Sequence, residues 1–133
     1  MDDQNQLPSW VTATNAITVQ LAETNAPADP SVRAAAVYLA LAAWRDLGAG
    51  GGWDHFGLDM LEVRDRHYLA HGVEVEVAAA QADSATLSAV RRMVEQLACV
   101  HDRLASEDQL PVATRLDHEA SAHQLRRAVA ALP

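Results

Sequence analysis

The segment RDRHYLAHG, Arg64 to Gly72, carries two arginines, one aspartate and two histidines, then stops at a glycine. Three kinds of chemistry fit such a set: an active site, a metal clamp, or the polar end of an ordinary helix. On an α-helix, seven residues turn the chain through roughly 700°, nearly two full turns. Arg64 and His71 therefore fall on one stripe, about 10.5 Å apart along the axis, with Tyr68 between them. His67 lies one turn before His71, a spacing that suits paired ligands or a charge relay. Asp65 falls on the other seam with Leu58, Leu61 and Tyr68, which predicts partial burial. The bland alternative is also physical. Cations near a helix C-terminus are favoured by the dipole at about 0.3–1 kcal/mol each, and Glu62 and Arg66 have the spacing of a surface ion pair.

These residues need helices to position them, and the sequence supplies such helices. Ser9 is placed to cap a first helix over Trp10 to Thr24. The run NAPADP makes a turn, after which Asp29 caps and Pro30 sits at the first turn of a second helix, Ser31 to Leu47. Its stripe is Val32, Ala36, Leu39, Ala43 and Leu47. GAGGG, Gly48 to Gly52, reads as a flexible loop: it follows a helix rather than a strand, and no Gly-Lys-Ser/Thr closes it. Asp54 is placed to cap a third helix over His55 to His71, with Gly72 as a left-handed stop. VEVEV, Val73 to Val77, alternates like a strand but has no partner strand, so it reads as extended or irregular. A fourth helix runs from a Ser84 cap to Ser106, with a seam of Leu87, Val90, Val94, Leu97, His101 and Leu104. A fifth, Ala113 to Leu132, has His118, Ala122, Leu125, Val129 and Leu132 on its seam. The expected architecture is all-α, a four- to five-helix up-down bundle in a single domain over residues 1–133.

Composition narrows the function classes. The chain has 133 residues and a net charge of −8, and all ten of its cations are arginine. Most of the surface should repel nucleic acid, so phosphate must bind locally, at an arginine cluster. The doublets Arg91–Arg92 and Arg126–Arg127 read as solvated helix faces. One cysteine, Cys99, permits no internal disulfide and reads as a small buried hydrophobe. No apolar run approaches a membrane span, and the acidic opening MDDQNQLPSW lacks the pattern of a secretory leader. The expected setting is cytoplasmic.

The segment resembles the active-site motif of the HEPN superfamily, the higher eukaryotes and prokaryotes nucleotide-binding domains. Arg64-Asp65 has six residues between Arg64 and His71, and Arg66-His67 overlaps it with four residues between Arg66 and His71. YLAHG is similar to the Ala-His ending of abortive-infection members. One HEPN branch has an aromatic two residues after the histidine, where this chain has Val73. The resemblance implies a metal-independent endoribonuclease, or an RNA- or nucleotide-binding relative, of the toxin or phage-defence type, acting as a homodimer with no cofactor. It implies His71 as general base, Arg64 as the phosphate-gripping cation and Asp65 as their orienting group. Arg66, His67 and Tyr68 then contact substrate or the partner chain. Helical rotation favours Arg64 as the motif arginine; a helix that ends near Tyr68 makes Arg66 equally suitable.

Two other classes stand beside this one. A metal site draws on His67 with His71, on His55, Asp59 and Glu62, or on His118, Glu119 and His123. The Glu-x-x-His pairs of ferritin-like bundles are absent, because Glu62 is followed by Asp65 and Glu119 by Ala122 at that spacing. The expected site therefore holds no metal. His101 and His118, on apolar seams, read as hydrogen-bonded core histidines. Trp10, Trp44 and Trp53 read as core or dimer contacts, with Trp44 and Trp53 placed to line a pocket beside the glycine loop. The remaining class is a non-catalytic acidic helical interaction module, antitoxin-like or a scaffold, with a protein partner that the sequence does not name.

Overall fold

A computed structural model describes residues 6–48 and 50–133 of the chain; the first five residues of the acidic opening, and Ala49 of the glycine loop, lie outside the described residues. The architecture is an all-α bundle: α1 (Trp10–Leu21), α2 (Pro30–Leu47), α3 (Gly51–Val63), a π-helical segment (Arg64–Tyr68), α4 (Ser84–Ala105) and α5 (Val112–Ala131). Side chains close the helix starts. Ser9 Oγ accepts from Thr12 N at 3.0 Å. Asp29 accepts from Ser31 N and Val32 N at 2.9 and 3.2 Å, and Pro30 supplies the first helical residue. These caps satisfy amide donors that the helix itself leaves free.

The helices pack as a closed circuit. α4 lies against α5 and α1, α3 against α5 and α2, and α1 against α2. The apolar seams explain this. Ala36, Leu39 and Ala43 of α2, Val90, Val94 and Leu97 of α4, and Ala122 and Leu125 of α5 are all buried. Trp10 closes one side of the core, its indole N–H donating to the Leu39 carbonyl at 3.0 Å. Trp44 of α2 lies against the flank of α3, where a Cβ added at Gly57 would fall inside the indole ring. Among the described residues, no helix is long and apolar enough to cross a membrane.

Several local expectations give way to tertiary geometry. α1 ends at Leu21, not Thr24. α3 starts at Gly51, so Gly51 and Gly52 belong to a helix rather than to a free loop. Gly50 and Gly51 take φ of 87° and 37°, which glycine adopts without the Cβ penalty, and this turns the chain straight into the helix. Asp54 is therefore not a cap. It sits in the first turn, where its carboxylate accepts from the Trp44 indole at 3.3 Å. Asp83, not Ser84, caps α4 and accepts from Thr86 N at 2.8 Å. α5 opens at Val112, directly after Pro111.

The third helix departs most from expectation. Regular α-geometry stops at Val63, a wider π turn covers Arg64–Tyr68, and the chain leaves the helix after Tyr68 rather than at His71. Gly72 has no positive φ, so it is not a left-handed stop. The extended segment that follows forms no strand. Its alternation is nonetheless realised: Val73, Val75 and Val77 pack on the core while Glu74 and Glu76 face solvent. The Ala78 and Ala80 amides tie it down, donating to the Pro8 carbonyl at 2.9 Å and to Asp46 at 3.0 Å. Cys99 is exposed rather than buried.

Candidate functional site

The π turn splits RDRHYLAHG into an outer and an inner group. In a π turn each residue advances less around the axis than in an α-helix, so positions beyond Arg64 fall out of the regular stripe. The rotation argument that set Arg64 above Arg66 as the motif arginine therefore has no basis. Asp65 is exposed, because its expected seam partner Leu58 is itself 57 % exposed and the buried face of α3 runs through Phe56, Met60 and Val63.

Arg64, Asp65 and His71 form the outer group. Arg64 and His71 border one open pocket of about 280 Å³, together with Tyr38, Leu41, Tyr68 and Leu69. The chain bends into place there: His71 N donates to the Tyr68 carbonyl at 3.0 Å and Val73 N to the His71 carbonyl at 2.7 Å. Asp65 stands outside the pocket and holds Arg64 through an ion pair at 2.9 Å. Both side chains of that pair are well exposed, so it is screened and weak, at about 0–1 kcal/mol.

Arg66, His67 and Tyr68 form the inner group. Arg66 reaches α5, donating to Ser121 Oγ at 2.7 Å and to Gln124 Oε1 at 3.1 Å. His67 Nε2 lies 2.7 Å from the same Ser121 Oγ. The Tyr68 hydroxyl accepts from Arg33 at 3.3 Å and meets His101 Nε2 at 2.8 Å. His101 Nδ1 in turn faces His118 Nδ1 at 2.9 Å. His67 stacks on His118 with ring centroids 4.7 Å apart and planes within 4°. Of the three residues expected to contact substrate, only Tyr68 also borders the pocket.

Burial governs the electrostatics of the inner group. His101 is fully buried, and desolvation, helped by the charges of His67, His118, Arg33 and Arg66, pushes its pKa down to about 2. His67 is pushed down to about 4 by burial, His118 and Arg66, against a smaller opposing effect of Asp117. Burial and Arg33 also lower His118. Burial raises the Tyr68 hydroxyl above its ordinary value, and Arg33 opposes that rise. At neutral pH all three imidazoles are therefore uncharged, each with a bare nitrogen able to accept a hydrogen bond or bind a cation.

His101 and His118 are hydrogen-bonded core histidines, as their seams imply, but they are bonded to each other. Together with His67 they offer one nitrogen each within 4.8 Å of one another. The expected metal groupings do not assemble. His67 turns inward and His71 outward. Asp59 is buried against Arg127 at 2.9 Å and Gln124 at 3.1 Å, while His55 is exposed. Glu119 and His123 border a separate surface depression with Asp102 and Arg126. Trp53 borders a depression beside Pro133 without Trp44. Sequence reasoning missed Arg33, Ser121 and Gln124. Ser121 and Gln124 follow His118 at helical spacing, a usable signal of one polar face. The chain matches no family model, no curated protein and no solved structure.

Proposed function

We propose that the Arg64–His71 pocket binds an RNA phosphodiester and cleaves it without metal, as the HEPN resemblance implies. The observation that carries this reading is that Arg64 and His71 border one open pocket, although the helix ends before His71. Arg64 can exchange its exposed partner Asp65 for a phosphate, because a guanidinium fork binds phosphate oxygens more strongly than a screened surface pair. His71, exposed at the rim, takes the 2′-hydroxyl proton. The 2′-oxygen then bonds to phosphorus, the bond from phosphorus to the 5′-oxygen breaks, and water protonates the leaving oxygen. Arg64 stabilises the charge on the phosphoryl oxygens. The products are a 2′,3′-cyclic phosphate and a 5′-hydroxyl.

A second copy belongs to this reading. A surface of net charge −8 leaves one arginine per pocket with little pull on RNA, and two pockets facing one another double it. Leu69, 68 % exposed, borders the same pocket and gives that contact an apolar side chain.

Incubating RNA in EDTA with wild type, His71→Ala and Arg64→Ala tests the chemistry. Wild type should cut and leave cyclic phosphate ends, and His71→Ala should lose about 100-fold or more of the rate. Equal cutting by wild type and His71→Ala, no cutting by either, or cutting that requires added metal removes the mechanism.

A further inference from the structure

The ribonuclease reading makes no use of three clustered imidazoles, two buried and one half-buried, which come from three separate elements: His67 from the π turn, His101 from α4 and His118 from α5. Helix bundles build metal sites in this way, from side chains on facing helices. Two of these rings meet nitrogen to nitrogen, His101 Nδ1 and His118 Nδ1 lying 2.9 Å apart. Without a cation, one must carry a proton and the other be bare. With a cation, both are bare and both bind it.

Tyr68 accommodates either state. Its hydroxyl has one proton and two lone pairs. It can donate to a bare His101 Nε2, or accept from a protonated one while still accepting from Arg33. The second arrangement is the one metal sites use, in which the far ring nitrogen of a ligating histidine is held by a hydrogen-bond partner. Spacing agrees. Three imidazoles bound tetrahedrally at about 2.0–2.1 Å place their nitrogens about 3.3–3.4 Å apart. The 2.9 Å between the two Nδ1 atoms, and the 4.8 Å within which one nitrogen of each ring lies, fall on either side of that distance. Two cations flank the set: Arg66 beside Ser121, which Gln124 ties to the carboxylates of Asp59 and Glu62, and Arg33 at the Tyr68 hydroxyl.

The geometry points to a divalent-cation site on His67, His101 and His118, closed within the bundle and structural rather than catalytic. The ligand set is nitrogen without thiolate or carboxylate, which suits zinc, cobalt, nickel or copper and disfavours magnesium and calcium. His101 at 0 % and His118 at 7 % exposure, with His67 half-buried, set two of the three rings inside the bundle. Ser121 Oγ, 2.7 Å from His67 Nε2, is the hydroxyl oxygen beside the set. The inference stands apart from the ribonuclease reading, because the ion would hold the π turn, α4 and α5 together and take no part in cleavage.

The test uses the full chain, stripped with EDTA, desalted and titrated with Co²⁺ and Zn²⁺ in the absence of RNA. One Co²⁺ per chain should bind with the visible absorption bands of a tetrahedral nitrogen site, and Zn²⁺ should displace it. His67→Ala and His118→Ala should each weaken binding at least about tenfold, and the exposed-histidine variants His55→Ala and His123→Ala should not. Should a core variant fail to fold, the wild type still decides: stoichiometric Zn²⁺ must shift the imidazole NMR signals of His67, His101 and His118 among the six histidines. No saturable binding, equal weakening by the surface variants, or shifts confined to His55, His71 and His123 overturns the site.

Discussion

The Tyr68 hydroxyl sits between the Arg33 guanidinium and His101 Nε2, and the same residue borders the pocket that Arg64 and His71 line. Its contacts keep a positive charge one hydroxyl away from a buried imidazole. A proton on that imidazole would place two like charges in a poorly solvated space, so His101 stays neutral. Stability then depends on pH with a definite sign. The folded pKa of His101 is depressed to about 2, whereas an unfolded histidine titrates near its ordinary 6.5. Below about pH 6.5 the unfolded chain binds the extra proton and the folded chain does not, so stability is full above that pH and falls as pH drops. His67 and His118 act in the same direction. Asp29, Asp46 and Asp83 have lowered values and hold stability that is lost only near and below pH 4, so they do not obscure the histidine window. In the metal-free protein, His101 alone should remove about 2 kcal/mol between pH 7 and pH 5. A urea midpoint that stays flat over that interval would contradict the neutral cluster. Sequence reading placed His101 and His118 on the inner seams of two helices, because periodicity reports which face is buried. It could not report that the two faces meet at the same height, since that depends on how α4 and α5 slide along one another.

At the scale of elements, five helices and their apolar stripes were readable because 3-4 spacing, caps and prolines are local signals. The end of α3 was not. The π turn arises where Arg66, His67 and Tyr68 all face packed neighbours on α2, α4 and α5, and an undistorted helix would carry some of them away. Only tertiary contacts reveal that demand. The start of α3 was misplaced for a related reason. GAGGG has the composition of a loop, yet its last two glycines are helical: Gly51 takes a positive φ in open space, and Gly52 packs where neighbours leave no space for a side chain. A Cβ at Gly52 would overlap the Ala131 carbonyl, and one at Gly57 would enter the Trp44 ring. Both glycines therefore set how closely α3 approaches its neighbours. Gly57→Ala should lower stability by about 1–3 kcal/mol through overpacking, although alanine is the better helix former by nearly 1 kcal/mol. Chemical denaturation reads this directly. A neutral or stabilising result would mean that α2 and α3 are packed less tightly than the contact of Gly57 with Trp44 requires.

At the scale of the whole molecule, charge limits how RNA can be held. Each arginine doublet is already engaged: Arg91 with the Pro133 carbonyl, Arg92 with Ser88 and Asn15, Arg126 with Asp102, and Arg127 with Asp59. Arg64 borders the same pocket as His71, and Asp65 is its one ion-pair partner among the described residues. On the proposed reading, a paired molecule would bring about two phosphate contacts, one Arg64 from each copy, against a net charge of −8 per chain. Each phosphate neutralised on a single strand contributes a slope of about −0.7 to the logarithm of affinity against the logarithm of salt concentration. Two contacts give a slope of about −1.4, so raising salt from about 50 to about 200 mM should weaken RNA binding only about sevenfold. Repulsion by the acidic surface is screened by the same salt, which makes the dependence shallower still. A protein that spreads RNA over a broad basic face would lose a hundredfold or more over the same range. Fluorescence anisotropy with a short labelled RNA and the inactive His71→Ala variant separates the two cases. A steep slope would show that phosphates are held by many arginines, and would move the RNA site away from the Arg64–His71 pocket.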